Sequence, residues 1–563
     1  MSPLSARARW ATLAAVTMLA ACSGRKSHGP PPPDPKTTVS VFALAEVRGQ
    51  IEPCGCTTDP LGDLARTAQL VAEARTRGPV VVVDAGSLLY ARATIDPMAK
   101  PQEDLKADLL ARVYEDELQV AAVGLGPTDL AAGLEQLRLP RQVANLPASA
   151  GVPLAPPAVI SVGADKLGVF GVIAPALVPT LGATDPIAAA TAAVADLRRQ
   201  GATRIIALAS MSKKDGAALA RAVEGIDLMV LALGDLAPEP KDVHASADQV
   251  GSTWVVAPAN RGQVVSRIDL TLRPGGGALF DAIGPAAAAQ RQTELAERIA
   301  LLDQQLTAFA ADPTADAAFV AARKAERDGL AAEREALGRS PSRAPAAGSY
   351  FELAQVRIAK ALACDREVVA AKQEYNRAAG AANVAAAQAA PPPAPPPPGT
   401  ATYVGTEACA DCHEEAVTFW KASRHAGAWK TLVDADKQFD YECIACHTTG
   451  WGRPTGATMA ANEGLRDVQC ETCHGPDSLH VDAEEPDAKR TIVLAPPTDL
   501  CATECHTVEH SDTFDRTAYL RDVLGPGHGA AARTALGDGP TGRELRKAGL
   551  EKAGKAIGAG CPK

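Results

Sequence analysis

The chain has 563 residues, enough for three or four domains of ordinary size. Its hydrophobic content of 47% is sufficient to build packed cores, which excludes a wholly disordered chain. The net charge of −10 is concentrated between positions 401 and 530, where 10 Lys and Arg stand against 22 Asp and Glu. Such an acidic region excludes nucleic acid as a natural partner and suits a protein with a basic docking face.

The first 21 residues predict a lipoprotein signal peptide. Arg7 and Arg9 precede a short apolar run at 10–20, which is followed by Leu-Ala-Ala-Cys22. This ending resembles the bacterial lipobox, in which the cysteine is acylated, so we expect lipidation at Cys22. Ser23 in place of Asp favours an outer-membrane anchor facing the periplasm, followed by a Pro-rich tether at 22–37. The alternative is a buried N-terminal helix. The apolar run is too short for a stable transmembrane span.

Residues 38–275 alternate apolar β-rich runs with helical patterns, which predicts an α/β layered domain. A stripe at heptad spacing then predicts a helical hairpin over 286–345, and a solvated helix is the alternative: Leu295, Ile299, Leu302, Leu306 and Phe309. We expect 346–388 to be helical and 389–400 to be a polyproline linker. A Cys/His module at 401–530 and a tail at 531–563, with one helix over 542–557, complete a multidomain chain.

Four Cys/His motifs lie in the module, and each ends in a histidine directly after the second cysteine. They are Cys409-Ala-Asp-Cys412-His413, Cys443-Ile-Ala-Cys446-His447, Cys470-Glu-Thr-Cys473-His474 and Cys501-Ala-Thr-Glu-Cys505-His506. Two thiols add to the haem vinyl groups, and the adjacent imidazole binds the iron as the proximal ligand. Zinc is the rival, but zinc does not require a histidine after every pair. The fourth motif has one extra residue, so a Cys501–Cys505 disulfide or a partly fitted haem is its alternative.

The histidine count allows bis-histidine ligation at every iron. Besides the four proximal histidines, the module contains four more, the candidates for distal ligands: His425, His480, His510 and His528. His510 follows His506 by four residues, so on one helix it cannot reach the far side of the same haem. About 130 residues cannot wrap four haems in separate cores, so we expect the haems to contact one another and to conduct electrons.

Three segments resemble the tetrahaem cytochrome c-554 family: 403–415, 420–429 and 470–480. The resemblance implies haem c, four expected and three at least, a redox protein partner, and distal positions for His425, His480 and His528, with His510 less clearly placed. Some family members keep one iron five-coordinate, and such an iron binds small nitrogen oxides or similar ligands.

Residues 41–90 and 254–272 resemble the calcineurin-like metallophosphatase domain of periplasmic 5'-nucleotidases, which implies a metallophosphatase-like sandwich. The metal ligands of that family are replaced here. Its Asp-x-His reads Glu46-Val47-Arg48, the Asp after Gly86 is Ser87, and its Asn-His region reads 124–129 without a histidine. A two-metal site needs converging His and carboxylate ligands, so we expect a catalytically inactive scaffold.

Cys54-Gly-Cys56 is the remaining unusual feature of this domain. In an oxidising compartment these cysteines predict a disulfide, with Cys364 or Cys561 as partners, or a small redox site, or a ligand pair for a metal.

Three functions fit the sequence. The leading hypothesis is an extracytoplasmic lipoprotein that carries electrons through about four haems. The second is an oxidoreductase that acts on a small nitrogen- or oxygen-containing substrate at an open haem iron. The third is a metal-dependent phosphoesterase or 5'-nucleotidase with an electron-carrying appendage, for which the ligands are missing.

Overall fold

Runs of Val, Ile and Leu form most strands of the molecule, because branched side chains pack well on a pleated surface. The computed structural model describes residues 36–53, 57–274, 277–311, 316–484, 487–507, 510–553 and 561. The strands within these ranges are β1 (Thr37–Leu44), β2 (Val80–Asp84), β3 (Ala122–Val123), β4 (Ala158–Val162), β5 (Asp165–Ile173), β6 (Arg204–Ser210), β7 (Leu228–Ala232), β8 (Asp248–Val250), β9 (Thr253–Val256), β10 (Val264–Leu272), β11 (Phe280–Asp281) and β12 (Tyr350–Arg357).

The strands form two mixed six-stranded sheets. The first has the order β11-β12-β10-β1-β2-β3, and the second has the order β4-β5-β6-β7-β9-β8. In the first sheet β1 runs parallel to β2 and antiparallel to β10. In the second, β5, β6, β7 and β9 are parallel, with an antiparallel strand at each edge.

The side chains of each strand alternate between two cores, as the pleat requires. Val39 and Val41 of β1 point into the layer between the sheets, where they join Leu208 of β6. Phe42, on the opposite face of β1, packs into the core beneath the helices that cover the first sheet. Helices also cover the outer face of the second sheet. The resulting helix–sheet–sheet–helix arrangement confirms the predicted α/β layered class.

The α-helices found in the described part of the first 390 residues are α1 (Leu64–Arg75), α2 (Lys100–Asp116), α3 (Pro186–Arg199), α4 (Lys213–Ala222), α5 (Gly284–Ala311), α6 (Ala317–Arg339) and α7 (Arg366–Ala389). Helices α5 and α6 pack against each other and lie between β11 and β12 in the chain. Leu295, Ile299 and Leu302 of the heptad stripe are buried, whereas Leu306 and Phe309 are not.

The prediction that 346–388 is helical is wrong for its first part. Tyr350–Arg357 is strand β12, which pairs along its length with β10 and closes the first sheet beyond the helical pair. Its alternate residues Phe351 and Leu353 are buried, which is the period of a strand. The α/β layers therefore draw on residues well beyond position 275. Helix α7 then packs on α1 and α2.

Residues 391–399 are largely exposed and form neither helix nor strand. The helices that follow are short: α8 (Glu414–Lys421), α9 (Ala428–Ala435), α10 (Cys470–His474), α11 (Ser478–Val481), α12 (Leu500–Glu504), α13 (Arg516–Val523), α14 (Ala530–Ala535) and α15 (Gly542–Lys552). Short 3-10 turns, among them Thr406–Cys409, His425–Gly427 and Ile444–His447, connect some of them. This mostly helical and irregular region matches the predicted class.

A disulfide joins Cys364, just before α7, to Cys561 in the tail. The expectation that one of these two cysteines pairs with Cys54 or Cys56 is therefore wrong. The Cα atoms of Cys364 and Cys561 stand 6.0 Å apart, a usual separation for a disulfide.

None of the helices in the described ranges combines the length and the apolar character that a membrane crossing requires.

Candidate functional site

The four Cys/His motifs lie on short turns and short helices. The first motif follows the turn Thr406–Cys409, and its histidine caps α8. The second occupies the turn that ends at His447. The third forms α10, and the fourth runs through α12 into Cys505 and His506.

The extra residue of the fourth motif is absorbed by a wider turn. In the first motif the His413 N–H donates to the carbonyl of Cys409 at 2.9 Å, four residues earlier. In the fourth, the His506 N–H donates to the carbonyl of Cys501 at 2.7 Å, five residues earlier. A hydrogen bond over five residues accommodates one inserted residue without displacing the residue that closes the turn. The fourth motif therefore closes on its histidine as the first one does.

Two pairs of imidazoles face each other at the separation that an iron atom between them would require. The ring centres of His413 and His480 lie 6.2 Å apart, and those of His425 and His506 lie 6.5 Å apart. Two imidazoles that each bind one metal ion at about 2 Å have ring centres about 6 Å apart. The residues therefore fit haem iron at these two positions.

Hydrogen bonds orient several of the rings. Nδ1 of His447 contacts the carbonyl oxygen of Ala428 at 2.6 Å, and Nδ1 of His474 contacts that of Val493 at 2.8 Å. His480 makes the same kind of contact with Ala488 at 2.9 Å. A carbonyl oxygen accepts a hydrogen bond from the Nδ1–H group, so the lone pair of Nε2 is left for a metal.

Burial keeps the imidazoles in the neutral form that binds metals. It lowers the pKa of His506 to about 4, with a further contribution from nearby His425. Burial likewise lowers the pKa of His425, His447 and His528 below the ordinary value. These rings are therefore neutral near pH 7.

The thiols of different motifs lie next to each other. Cys409 and Cys470 share a hydrogen bond, which raises the pKa of Cys409 and lowers that of Cys470 to about 6. Cys446 and Cys505 make the corresponding contact, which together with burial raises the pKa of Cys505. Burial raises the pKa of Cys473 to about 11, and neighbouring Cys501 adds to that shift. The motifs are thus neighbours in the order first, third, fourth, second.

A buried carboxylate connects the first and third motifs. Glu471, between the two cysteines of the third motif, is 1% exposed and accepts hydrogen bonds from the backbone N–H groups of Val404, Gly405 and Asp477. Burial and the charge of Glu471 raise the pKa of Asp477 to about 6. The segment of chain that leads into Cys409 is therefore fixed from within the third motif.

One cavity of about 2430 Å³ extends along the second and fourth motifs. Cysteines and histidines of three motifs contribute to its wall, together with His425 and His510: Cys443, Cys446, His447, Cys473, Cys501, Cys505 and His506. The size of the cavity, its thiols and its neutral imidazoles fit bulky, covalently held haem groups.

The α/β layers also contribute to the wall of this cavity. Arg48 and Thr128 follow β1 and β3, and Arg261 precedes β10, which runs antiparallel to β1. The Glu46 carboxylate accepts hydrogen bonds from Arg48 at 2.8 Å and from the Gly234 N–H at 2.9 Å. In the described part of the chain, no three His, Cys, Asp or Glu side chains converge as a metal-ion site.

Asp129, in the segment 124–129, is held by hydrogen bonds and by an ion pair. Asp129 accepts hydrogen bonds from the N–H groups of Ser87 and Leu88 and pairs with buried Arg141 at 3.4 Å. These interactions fix the turn that follows β2.

The structure brings together all four predicted attachment motifs and three of the distal candidates, while His510 lies in the cavity wall with Nδ1 2.8 Å from the Thr507 hydroxyl. His528 is near His474 and His413, whose charged forms would lower its pKa further. Cys22, Cys54 and Cys56 lie outside the described residues. No local pattern in the sequence predicts that polar side chains of α2 and α7 contact the residues just before the second motif.

The family model described as "Cytochrome c554 and c-prime" matches residues 408–475, which contain the first three motifs. A cytochrome c-554 from Nitrosomonas europaea is 32% identical over 92 residues, covering 14% of this chain and 39% of that protein. The chain therefore spans less than half the length of this curated relative.

Three enzymes are among the solved structures similar to the chain. A 5'-nucleotidase precursor from Thermus thermophilus is 17% identical, with a TM-score of 0.39, over 60% of this chain and 58% of that one. A sulfate thiohydrolase, also from Thermus thermophilus, is 15% identical, with a TM-score of 0.39, over 62% and 61%. The NAD nucleotidase of Haemophilus influenzae is 16% identical, with a TM-score of 0.34, over 43% and 49%.

Proposed function

We propose that this protein is an extracytoplasmic c-type cytochrome that carries electrons between redox partners through four haems. The observation that carries the proposal is the convergence of the four attachment motifs and of facing imidazoles, two pairs of them about 6 Å apart. Covalently attached haem supplies reversible one-electron chemistry at such a site. The match of residues 408–475 to the cytochrome c554 model supports this proposal.

The protein residues have distinct parts in binding the groups. Eight cysteines would hold the haems through thioether bonds: Cys409, Cys412, Cys443, Cys446, Cys470, Cys473, Cys501 and Cys505. His413, His447, His474 and His506 would be the proximal ligands. His480 would pair with His413, His425 with His506 and His528 with His474 as the distal ligands. His510, in the wall of the same cavity, is the candidate opposite His447.

The thiol contacts support a defined electron path. The first motif touches the third, the third lies beside the fourth, and the fourth touches the second. Attachment points this close bring the macrocycle edges together, which favours rapid transfer. The two ends of the path are then the first and the second motif, and the second end faces the α/β layers.

The N-terminal sequence motif and the acidic charge of the module support a proposal for the location and the partner of the protein. We propose that Cys22 carries the lipid anchor, that the protein faces the periplasm from the outer membrane, and that the 22–37 segment is its tether. The acidic residues between 401 and 530 would steer a basic redox partner toward the haems.

Replacement of one distal ligand tests this function. In protein produced with a cytochrome c maturation system, His480→Ala should convert one low-spin iron to high spin, visible in the EPR and optical spectra, with haem content unchanged. His244→Ala is the matched control, because His244 is an exposed histidine outside the module. Bound zinc in place of haem, or a His480→Ala spectrum identical to that of the unmodified protein, would contradict the proposal.

One observation favours a second function, oxidation or reduction of a small molecule. Among the described residues no ring contact of about 6 Å joins His447 or His474 to another histidine, and of these two only His447 lines the cavity that extends to Arg48 and Arg261. An iron on His447 with an open position would bind a small nitrogen- or oxygen-containing ligand there. Addition of nitric oxide separates the two functions: a shift of one high-spin haem signal supports the second, and four unchanged low-spin signals exclude it.

A further inference from the structure

The seven residues that lead into the second motif are held by the α/β layers. In this pre-haem segment, residues 437–443, the Asp440 carboxylate accepts a hydrogen bond from Gln102 of α2 at 2.7 Å. The Tyr441 N–H donates to Gln102 Oε1 at 3.0 Å, and Asn383 of α7 donates to the carbonyl oxygen of Phe439 at 2.9 Å. Gln102 and Asn383 are both 0% exposed. Asn383 also donates to Gln102 Oε1 at 2.8 Å, so the two buried amides and the segment form one hydrogen-bond network, which favours a single geometry.

Three ion pairs surround these hydrogen bonds. Lys106 of α2 contacts Glu442 and Glu103, each at 2.8 Å. Lys437 of the pre-haem segment contacts Glu52 at 2.7 Å. Lys106 is 1% exposed, so its charge has little access to water. Loss of Glu442 or Glu103 would leave the buried charge of Lys106 without that partner, which is costly, so these pairs hold the segment in place.

A second lysine, Lys372, also lies close to the Glu52 carboxylate. Lys372 of α7 contacts Asp63 at 2.7 Å and Glu52 at 3.9 Å. Burial raises the pKa of Glu52, but the ammonium groups of Lys437 and Lys372 outweigh that effect and hold it below the ordinary value. Burial lowers the pKa of Lys106, but Glu442 and Glu103 outweigh that effect and raise it. Glu52 and Lys106 are therefore both ionised at neutral pH.

These charges lie in the wall of the haem cavity. Glu52, Lys437 and Glu442 line it together with Cys443 and His447. In a region with little water, a nearby negative charge stabilises the oxidised form of an iron centre, and a positive charge stabilises the reduced form. The pairs are therefore placed to act on the haem of the second motif through their charge as well as through their geometry.

We propose that the α/β layers position the second haem and set its reduction potential, with Lys106 and Glu52 as the positioning residues. The inference rests on the proposed function, because it requires a haem at Cys443 and Cys446. It gives the α/β layers a function within the electron path that needs no hydrolytic chemistry. One end of the path is then tuned by residues that lie far earlier in the chain, in the α/β layers.

Two opposite charge removals test the inference in the full-length holoprotein. Lys106→Met leaves Glu442 without its positive partner, so the potential of the second haem should fall. Glu52→Gln leaves Lys437 without its negative partner, so the potential of the same haem should rise. The other three potentials should stay constant. Spectroelectrochemical titration followed by EPR measures each potential and identifies the haem that shifts.

Several controls separate electrostatic tuning from damage to the fold. Lys106→Arg keeps the charge and should keep the potential, whereas Lys106→Met with Glu442→Gln removes both charges and should return it toward the original value. Lys213→Met is the matched control, because Lys213 pairs with Asp248 at 2.8 Å at an exposed position outside the cavity. If Lys106→Met fails to fold, Glu52→Gln and Lys106→Arg still decide the outcome.

The contradicting outcomes are distinct from a failure of the proposed function. Shifts of equal sign in Lys106→Met and Glu52→Gln, equal shifts of all four potentials, or unchanged potentials in folded variants with four haems would overturn this inference alone. Absence of haem at Cys443 and Cys446 in the unmodified protein would overturn both this inference and the four-haem function.

Discussion

The α/β layers and the module at 401–530 differ in what fills their interiors. In the α/β layers, whole strands such as β6 and β7 are buried, and three large clusters of apolar side chains form continuous cores. Within the described residues of the module, only eight hydrophobic side chains are buried: Val417, Trp429, Leu432, Ile444, Ala457, Met459, Ala488 and Ala518.

This difference indicates two ways of stabilising one chain. A sheet with two covered faces supplies its own apolar core, so the α/β layers need no added group to fold. The module has short helices around a cavity of about 2430 Å³. In the proposed function, four haems would supply the apolar material that the module lacks, and they would form its core as well as its electron path.

The largest expected effect follows from withholding haem. Protein produced without the maturation system should have native hydrogen-exchange protection in β1, β5, β6 and β7 and little protection in 401–530, because the second region lacks its core. Hydrogen exchange measured by mass spectrometry compares the two regions in one sample. Equal protection of the module with and without haem would break the comparison.

A cavity made in the α/β core should be the next largest effect. Leu110 of α2 is 0% exposed, and Leu110→Ala should lower the free energy of unfolding by about 2–5 kcal/mol. Haem content should stay at the level of the unmodified protein, because this core does not depend on haem. Leu494→Ala, at a leucine that is 66% exposed, is the matched control and should change stability little. Denaturant titration of the α/β transition makes the measurement.

A third effect on the free energy of unfolding depends on pH and concerns a buried carboxyl group in the α/β layers. Burial raises the pKa of Asp84 to about 7, although its carboxylate accepts hydrogen bonds from the Gly86 N–H and the Tyr114 hydroxyl. In the unfolded chain the group ionises near pH 4, so the folded protein binds the extra proton between about pH 4 and 7 and loses stability as pH rises through that window. Asp84→Asn removes this loss.

We therefore expect Asp84→Asn to be more stable than the unmodified protein by about 4 kcal/mol at pH 7–8, with no difference near pH 4. Thermal unfolding of the α/β transition at a series of pH values measures the gap. A gap that is constant with pH would show that the carboxyl group of Asp84 has an ordinary pKa.

The sequence was most informative where a pattern is local. The apolar β-rich runs within 38–275 predicted an α/β layered domain, whose strands include Val80–Asp84 and Arg204–Ser210, and the spacing of cysteine and histidine predicted the attachment motifs. In both kinds of pattern, the residues that form the pattern lie within a few positions of one another in the sequence. The inserted residue of Cys501-Ala-Thr-Glu-Cys505-His506 left the fourth motif open at that level. The wider turn that closes on His506 explains how the insertion fits.

Long-range partners could not be predicted in the same way. Strand β12 pairs with β10 across the whole α5–α6 pair, and its short alternating pattern carries no mark of that partner. Gln102 and Asn383 occur in helices where a polar residue usually faces solvent, yet both are fully buried against the pre-haem segment. The disulfide between Cys364 and Cys561 likewise joins two residues that are far apart in the sequence. Contacts of this kind follow from the tertiary fold.

The number and position of attached haems test the account most directly. Intact mass spectrometry of the purified protein, followed by peptide mapping, should find four haems, one at each Cys/His motif including Cys501 and Cys505. A mass that corresponds to three haems, with Cys501 and Cys505 unmodified or joined in a disulfide, would contradict the four-haem core. A haem-free protein that contains zinc would contradict the account as a whole.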